Sequence, residues 1–248
     1  MKKMISMLAV GAALASASYA DITRVEMGVG AWMQTPRGDA SYNPSSGVGG
    51  SDTLKKDQKT SAYVWLFIKH PIPVLPNLRL EYSTLEAKGT PTGTWGSYTF
   101  TGGTSKLDVT QYDIIPYYNI LDNTAWITLD LGLDAKVIDA KYSATQAAIG
   151  TYENKASVVI PMAYLRARVE IPSTNIAVEG DVKYVSYGSS KFSDVRAKID
   201  YTFDFMPVVQ PAIEVGYRQE NIKIDYSSAD VKTDITFSGF YTGLMLRF

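Results

Sequence analysis

The feature that most constrains this chain is a strict two-residue alternation of apolar and polar side chains, sustained over segments of ten or more residues. Over 126–138, Ile127, Leu129, Leu131, Leu133, Ala135 and Val137 share one face, and Thr128, Asp130, Gly132, Asp134 and Lys136 share the other. The pattern returns at 192–203, where Val195, Ala197, Ile199, Tyr201 and Phe203 oppose Asp194, Arg196, Lys198, Asp200 and Thr202. It returns again at 161–171, where Ala163, Leu165, Ala167, Val169 and Ile171 oppose Arg166, Arg168 and Glu170. Fainter copies occupy 23–34, 60–69, 77–87, 107–118, 176–187, 208–218 and 235–248, so the periodicity predicts ten strands, with eight or twelve as the neighbouring counts. In 107–118, Leu107 and Val109 lie on one parity and Tyr112 and Ile114 on the other, which allows a β-bulge there.

Between these segments the connectors alternate in length. Short ones, 70–76, 119–124, 172–175 and 204–207, carry the Pro, Asn, Asp and Ser that turns require. Long ones, 35–59, 88–106, 139–156 and 219–234, are interrupted by one short exception at 188–191. Past the first residues no run reaches the roughly 18 consecutive apolar residues of a transmembrane helix. A membrane form of this chain would therefore be a closed barrel, the one remaining way to satisfy every backbone N–H and C=O in lipid. The absence of cysteine excludes a disulfide framework and thiolate metal sites.

The two ends carry addresses. Lys2 and Lys3, the apolar run Met4–Ala17 and Ser18-Tyr19-Ala20 before Asp21 form a secretory leader, expected to be cut after Ala20. The apolar run is too short for a membrane anchor, which needs about 20 residues. Cleavage leaves one domain, 21–248, of 228 residues, and with Lys2 and Lys3 gone the formal charge moves from -1 to -3. That balance points to no nucleic-acid partner. The last residues, Tyr241-Thr-Gly-Leu-Met-Leu-Arg-Phe248, alternate and end on an aromatic. Through Tyr241, Gly243, Leu246 and Phe248 this ending resembles the C-terminal signature of bacterial outer-membrane β-barrel proteins, as a class rather than a characterised subfamily. The resemblance implies an all-β, transmembrane, antiparallel up-and-down β-barrel in the outer membrane, in contact with its lipid and lipopolysaccharide. It further implies that the barrel-assembly machinery reads the closing strand. Short periplasmic turns and longer outer loops then place both termini in the periplasm.

Alternation does not by itself say which face is inside, and a soluble periplasmic ligand-binding barrel shows the same period. Segment length, a terminal Phe and aromatics near strand ends favour lipid. In that reading the periplasmic girdle holds Tyr117, Trp126, Phe203 and Phe248, and the outer one Tyr63, Tyr184, Tyr217 and Phe237. The other parity then lines the lumen. Leaving out the ambiguous segment 107–118, its acids are Glu26, Glu81, Asp130, Asp134, Glu170, Glu179, Asp181, Asp194, Asp200 and Glu214, and its bases are Arg24, Arg79, Lys136, Arg166, Arg168, Lys183, Arg196, Lys198, Arg218 and Arg247. Ten strands lie near the eight whose interior side chains can fill, so a balanced salt-bridge network closing the lumen is expected, with a narrow passive pore as the sharper alternative.

No catalytic, cofactor or metal site is expected. Enzymatic outer-membrane barrels, ten-stranded proteases among them, use a histidine, and the one histidine, His70, lies in the periplasmic-side run His70-Pro-Ile-Pro-Val-Leu-Pro76. Asp225, Asp230 and Asp234 lack EF-hand spacing. Three functions stay open at this point: a structural or surface barrel or small pore, a surface recognition protein acting through the long loops (35–59, and 88–106 with Trp95, Tyr98 and Phe100), and a soluble carrier.

Overall fold

The computed structural model describes residues 24–42, 49–72, 74–206, 208–225 and 231–248; the leader and its cleavage point at Ala20 lie outside them. The strands are β1 (Arg24–Tyr42), β2 (Gly50–Leu54), β3 (Lys59–Lys69), β4 (Asn77–Trp95), β5 (Tyr98–Phe100), β6 (Thr104–Thr124), β7 (Ile127–Gln146), β8 (Gly150–Glu170), β9 (Ile176–Tyr187), β10 (Ser190–Thr202), β11 (Gln210–Ile224) and β12 (Val231–Arg247). Ten of them form an all-antiparallel barrel in chain order, closed where β1 pairs with β12 from Glu26↔Arg247 to Tyr42↔Val231. The other two are accessory: β2 fills the space between β1 and β4 past the end of β3, and β5 folds back onto β4. The closing strand runs to the last residue, since Phe248 N–H donates to Val25 C=O at 2.9 Å.

The ten expected segments coincide with the barrel strands, but several strands run much further. β4, β6, β7 and β8 are 19 to 21 residues long, about twice the 9–11 needed to cross a bilayer. Connectors 88–106 and 139–156, expected as surface loops, are therefore largely paired ladder, from Lys88↔Lys106 in one and from Asp139↔Ser157 to Gln146↔Gly150 in the other. Their Ser, Thr and Tyr content reads as loop in a sequence, yet these residues pair well across strands, as Thr145 and Thr151 do through their hydroxyls at 3.0 Å. The bulge allowed in 107–118 is absent: the β4–β6 register is unbroken from Asn77↔Tyr117 to Gly89↔Ser105. The irregularity falls instead at 119–124, where β6 meets the tight turn that holds Asn123, Ala125 and Trp126 at positive φ.

The wall has the polarity of a membrane barrel. Leu133, Leu244, Ile199 and Val29 stand 53–67% exposed on the outside, while Asp130, Lys136, Lys183 and Asp194 on the opposite parity are fully buried. A soluble carrier has the reverse arrangement, and an apolar wall this extensive needs lipid against it. Trp126, Tyr184 and Tyr217 face outward at its margins, together with Tyr112, Tyr118 and Phe240. Tyr63, Tyr117 and Phe237, expected in the girdles, point inward and are buried. Their position near strand ends suited a girdle, but their parity is that of the lumen.

Inside, the filling changes along the barrel. From the end carrying the chain termini and short turns, β4 presents Asn77, Arg79, Glu81 and Ser83, then Leu85 and Ala87. β10 likewise runs from Asp200 through Lys198, Arg196 and Asp194 to Phe192, and β11 from Glu214, Arg218 and Glu220 to Ile222. A charged belt is thus followed by an apolar cap of Leu85, Val109, Ile138, Phe192, Ile222, Ile235 and Phe237 at the far end. Beyond the cap, the strand extensions pack a second apolar cluster of Trp95, Phe100 and Ala144 with Tyr42, Tyr142 and Tyr152.

Glycine makes room for the large lumen aromatics. A Cβ at Gly28 would stand 2.4 Å from the Trp65 indole, and one at Gly243 would stand 2.4 Å from the Tyr63 hydroxyl. Gly28→Ala should therefore lower unfolding stability by about 1–3 kcal/mol, the usual cost of overpacking a filled interior. Urea titration followed by the unheated folded band on a gel measures it, and an unmoved midpoint would contradict the close packing of Trp65 on β1.

Candidate functional site

Cross-strand register builds the belt. On neighbouring strands Arg166 is the Cα partner of Asp130 and Asp181, Arg168 of Glu179, Arg196 of Asp181, Lys198 of Glu179 and Asp194 of Lys183, so opposite charges face each other across the β7–β8, β8–β9 and β9–β10 ladders, whereas β10–β11 sets Arg196 opposite Arg218 and Asp200 opposite Glu214. Near the turn end, Arg168 donates to both oxygens of Asp200, at 2.6 and 3.0 Å, and contacts Glu179 at 3.3 Å. Arg166 bridges Asp130 at 2.5 Å and Glu179 at 2.7 Å, while Arg247 bridges Asp200 at 2.8 Å and Glu26 at 3.1 Å. At mid-height, Arg196 joins Glu81 and Asp181 at 2.6 and 2.7 Å, Arg79 holds Glu81 at 2.5 Å, and Lys198 reaches Glu214 at 2.9 Å. Glu214 also accepts from Tyr63 and the Trp65 indole N–H, at 2.7 and 3.1 Å.

Below the cap, Lys183 lies 2.7 Å from Glu81, 3.1 Å from Asp113, 3.7 Å from Asp194 and 3.9 Å from Asp134. Lys136 holds Asp113 at 2.7 Å, and Arg218 chelates Asp194 at 2.9 and 2.8 Å. Rings complete the shell: Arg166 lies over Phe67, Arg218 over Trp32 and Lys198 over Trp65, at 4.6–4.8 Å from the centroids. A cavity of about 20 Å³ lies among Trp32, Trp65, Arg79, Arg196 and Glu214, room for a single water molecule.

The residues read as lumen-facing lie in this belt, except that Arg24 and Glu170 sit at its turn-end mouth with side chains 37% exposed. Two further acids are buried in the belt, Asp113 in the segment 107–118 outside the ten-to-ten tally and Glu220, so with the two mouth residues included the lumen-facing groups number twelve acids to ten bases. The lumen neighbours of Asp113, Val109, Ile115 and Tyr117, are apolar, which leaves the parity of β6 ambiguous in the sequence. Glu220 lies one step beyond Arg218 on the same parity, in residues taken for loop; there it accepts from Gln111 and pairs with Arg218. Glu179 and Asp181 are both ion-paired. His70 uses both ring nitrogens inside its turn: Nδ1 accepts from Ile72 N–H at 3.2 Å, and Nε2 meets Pro76 C=O at 2.9 Å. Among the described residues no acidic or histidine cluster could hold a metal ion. Of the C-terminal residues, Tyr241 and Gly243 point to the lumen and Leu246 to the outside.

In the extension, Tyr142 Oη donates to the buried Asp52 carboxylate at 2.9 Å. Burial, together with that neighbouring carboxylate, pushes the Tyr142 phenol well above its ordinary range.

Among solved structures, the chain is similar to the outer-membrane protease OmpT from Escherichia coli, at 12% identity over 91% of this chain and 96% of that one, with a TM-score of 0.53. The fold is that of a bacterial outer-membrane β-barrel. The translocator domain of autotransporter NalP from Neisseria meningitidis aligns at 12% identity over 100% of this chain and 95% of that one, TM-score 0.47, and the toluene transporter TodX from Pseudomonas putida at 9% over 94% and 92%, TM-score 0.31. No protein-family model and no curated protein matches. The likeness to OmpT overturns the expectation, drawn from the lone histidine, that the chain has no enzymatic activity. A barrel of this form carries a protease, and activity resides in side chains grafted on a scaffold rather than in the scaffold.

Removing one cation from the belt should be costly. Lys183→Met leaves four carboxylates around an uncharged stem, and loss of one member of a buried ionic cluster costs about 3–5 kcal/mol. Adding Asp113→Asn should restore part of the loss in urea titrations. Equal stability of Lys183→Met and the parent would show that the cluster is not held by charge.

Proposed function

We propose that this chain is a sealed barrel of the bacterial outer membrane that acts as a structural and surface element rather than as a pore. The observation that carries this reading is the filling of the lumen: a belt of buried ion pairs, then an apolar cap. Hydrated ions would have to break several buried charge pairs and then cross the dry cap. In this reading the leader is cut after Ala20, and residues 21–248 form one domain. The chain termini and short turns lie in the periplasm, and the strand extensions stand on the cell surface among lipopolysaccharide. The closing strand, with Tyr241 and Gly243 turned inward and Leu246 and Phe248 at its end, is what the assembly machinery receives. A role in surface recognition draws support from the height of the extensions, in which the far end of β1, β2 and the far ends of β4 and β6 form paired ladder above the cap.

Reconstitution into planar bilayers tests the seal. The expected record is flat at moderate voltages, and discrete conductance steps from purified, folded protein would overturn it.

A further inference from the structure

β7 and β8 stay paired to their tip, but β9 accompanies β8 only from Glu170↔Ala177 to Ala163↔Tyr184. The β9–β10 connection turns back early at Gly188 (φ +58), so β8 from Gly150 to Met162 has no ladder partner on that side among the described residues. The direction of its backbone groups follows from the turn end of the strand. Glu170 N–H donates to Trp126 C=O on the β7 side and Ile171 N–H to Ile176 C=O on the β9 side, so odd-numbered residues address β9 and, higher up, the open edge. Pro161 is odd, and its missing N–H falls on the β9 side, where the β8–β9 ladder stops. Above it, Thr151, Glu153, Lys155, Ser157 and Val159 present their N–H and C=O groups to the open edge, and all five are exposed.

An exposed edge is a template for another strand, and charges on it usually prevent pairing. Here the charges select a partner. Lys155 lies opposite Lys141 on β7, and Lys141 is neutralised diagonally by Glu153 at 3.0 Å, which leaves Lys155 without a carboxylate among the described residues.

We propose that the open edge of β8 pairs antiparallel with the same edge of a second copy of this chain, centred on Asn154. In that register Glu153 faces the second copy's Lys155, Lys155 faces its Glu153, and Asn154 faces its counterpart, in a ladder from Gly150 to Val158. The interface is isologous, and its two-fold axis stands perpendicular to the sheet, so the two barrels point in opposite directions. This suits copies in facing membranes and excludes neighbours in one membrane. The cell-to-cell role rests on the surface placement proposed above, whereas the edge pairing itself does not.

Because the chain lacks cysteine, single substitutions report the register directly. With purified, folded protein in detergent under mild oxidation, Asn154→Cys should give a covalent dimer; a non-hydrogen-bonded antiparallel pair sets the two Cα atoms about 4.5 Å apart, within disulfide range. Glu153→Cys alone should not dimerise, but mixed with Lys155→Cys it should. In the Asn154→Cys background, Glu153→Lys should cut dimer formation by roughly tenfold through two like-charge contacts, and Glu153→Lys with Lys155→Glu should restore it. Absence of dimer, or equal dimer at all three positions, overturns the proposed pairing. Vesicles carrying the protein with its extensions outward should cluster, disperse on Glu153→Lys and cluster again with the swapped pair. Cross-linking without clustering would retain the edge pairing and overturn the facing-membrane role.

Discussion

Everything in this molecule answers to one electrostatic constraint: charged groups held inside a wall that faces lipid must find opposite charges within the lumen. Transfer of an ion from water to such an interior costs several kcal/mol even after relaxation, and only close, hydrogen-bonded pairing offsets it. The alternation of the strands sends acids and bases to the same face, and register then decides which of them meet. Arg166 opposite Asp130 and Asp181, and Asp194 opposite Lys183, show the result. Charges at the centre of the belt serve several partners at once: Glu179 is shared by Arg166, Arg168 and Lys198, and Lys183 by four carboxylates. Sharing of this kind ties distant strands together across the lumen, which backbone ladders between neighbours cannot do.

The belt and the cap close the barrel in different ways. Ion pairs and cation–π contacts hold the turn-end half, and Phe192, Ile222, Ile235 and Phe237 dry the other end. Beyond them the extended strands need no lipid, and the wall becomes uneven, tall along β4 to β8 and low at the β9–β10 turn. That unevenness leaves backbone groups of β8 without a ladder partner among the described residues, in the part of the molecule where the charge belt no longer governs.

Much of this was legible in the sequence because the barrel translates parity directly into inside and outside. The strands at 126–138, 161–171 and 192–203 declare themselves, and their polar faces name most of the belt. Strand length was not legible, because Ser, Thr, Tyr and Gly in 139–156 look the same in a loop and in a solvated hairpin. Parity was also lost where the lumen turns apolar: Val109, Ile115 and Tyr117 disguised Asp113, and Tyr63 and Phe237 passed for interfacial residues. No local pattern says that a barrel interior changes from charged to apolar along its axis. That information lies in how the strands are staggered against one another.

The most direct measurement is a double-mutant cycle on the bidentate pair Arg168–Asp200, using Arg168→Met, Asp200→Leu and the combination in reversible urea titrations. If paired charges hold the lumen, the two changes should couple by about 1.5 kcal/mol or more, with the double variant more stable than the sum of the single losses implies. Additivity within about 0.5 kcal/mol would contradict the account, because it would mean that the two side chains contribute independently of each other.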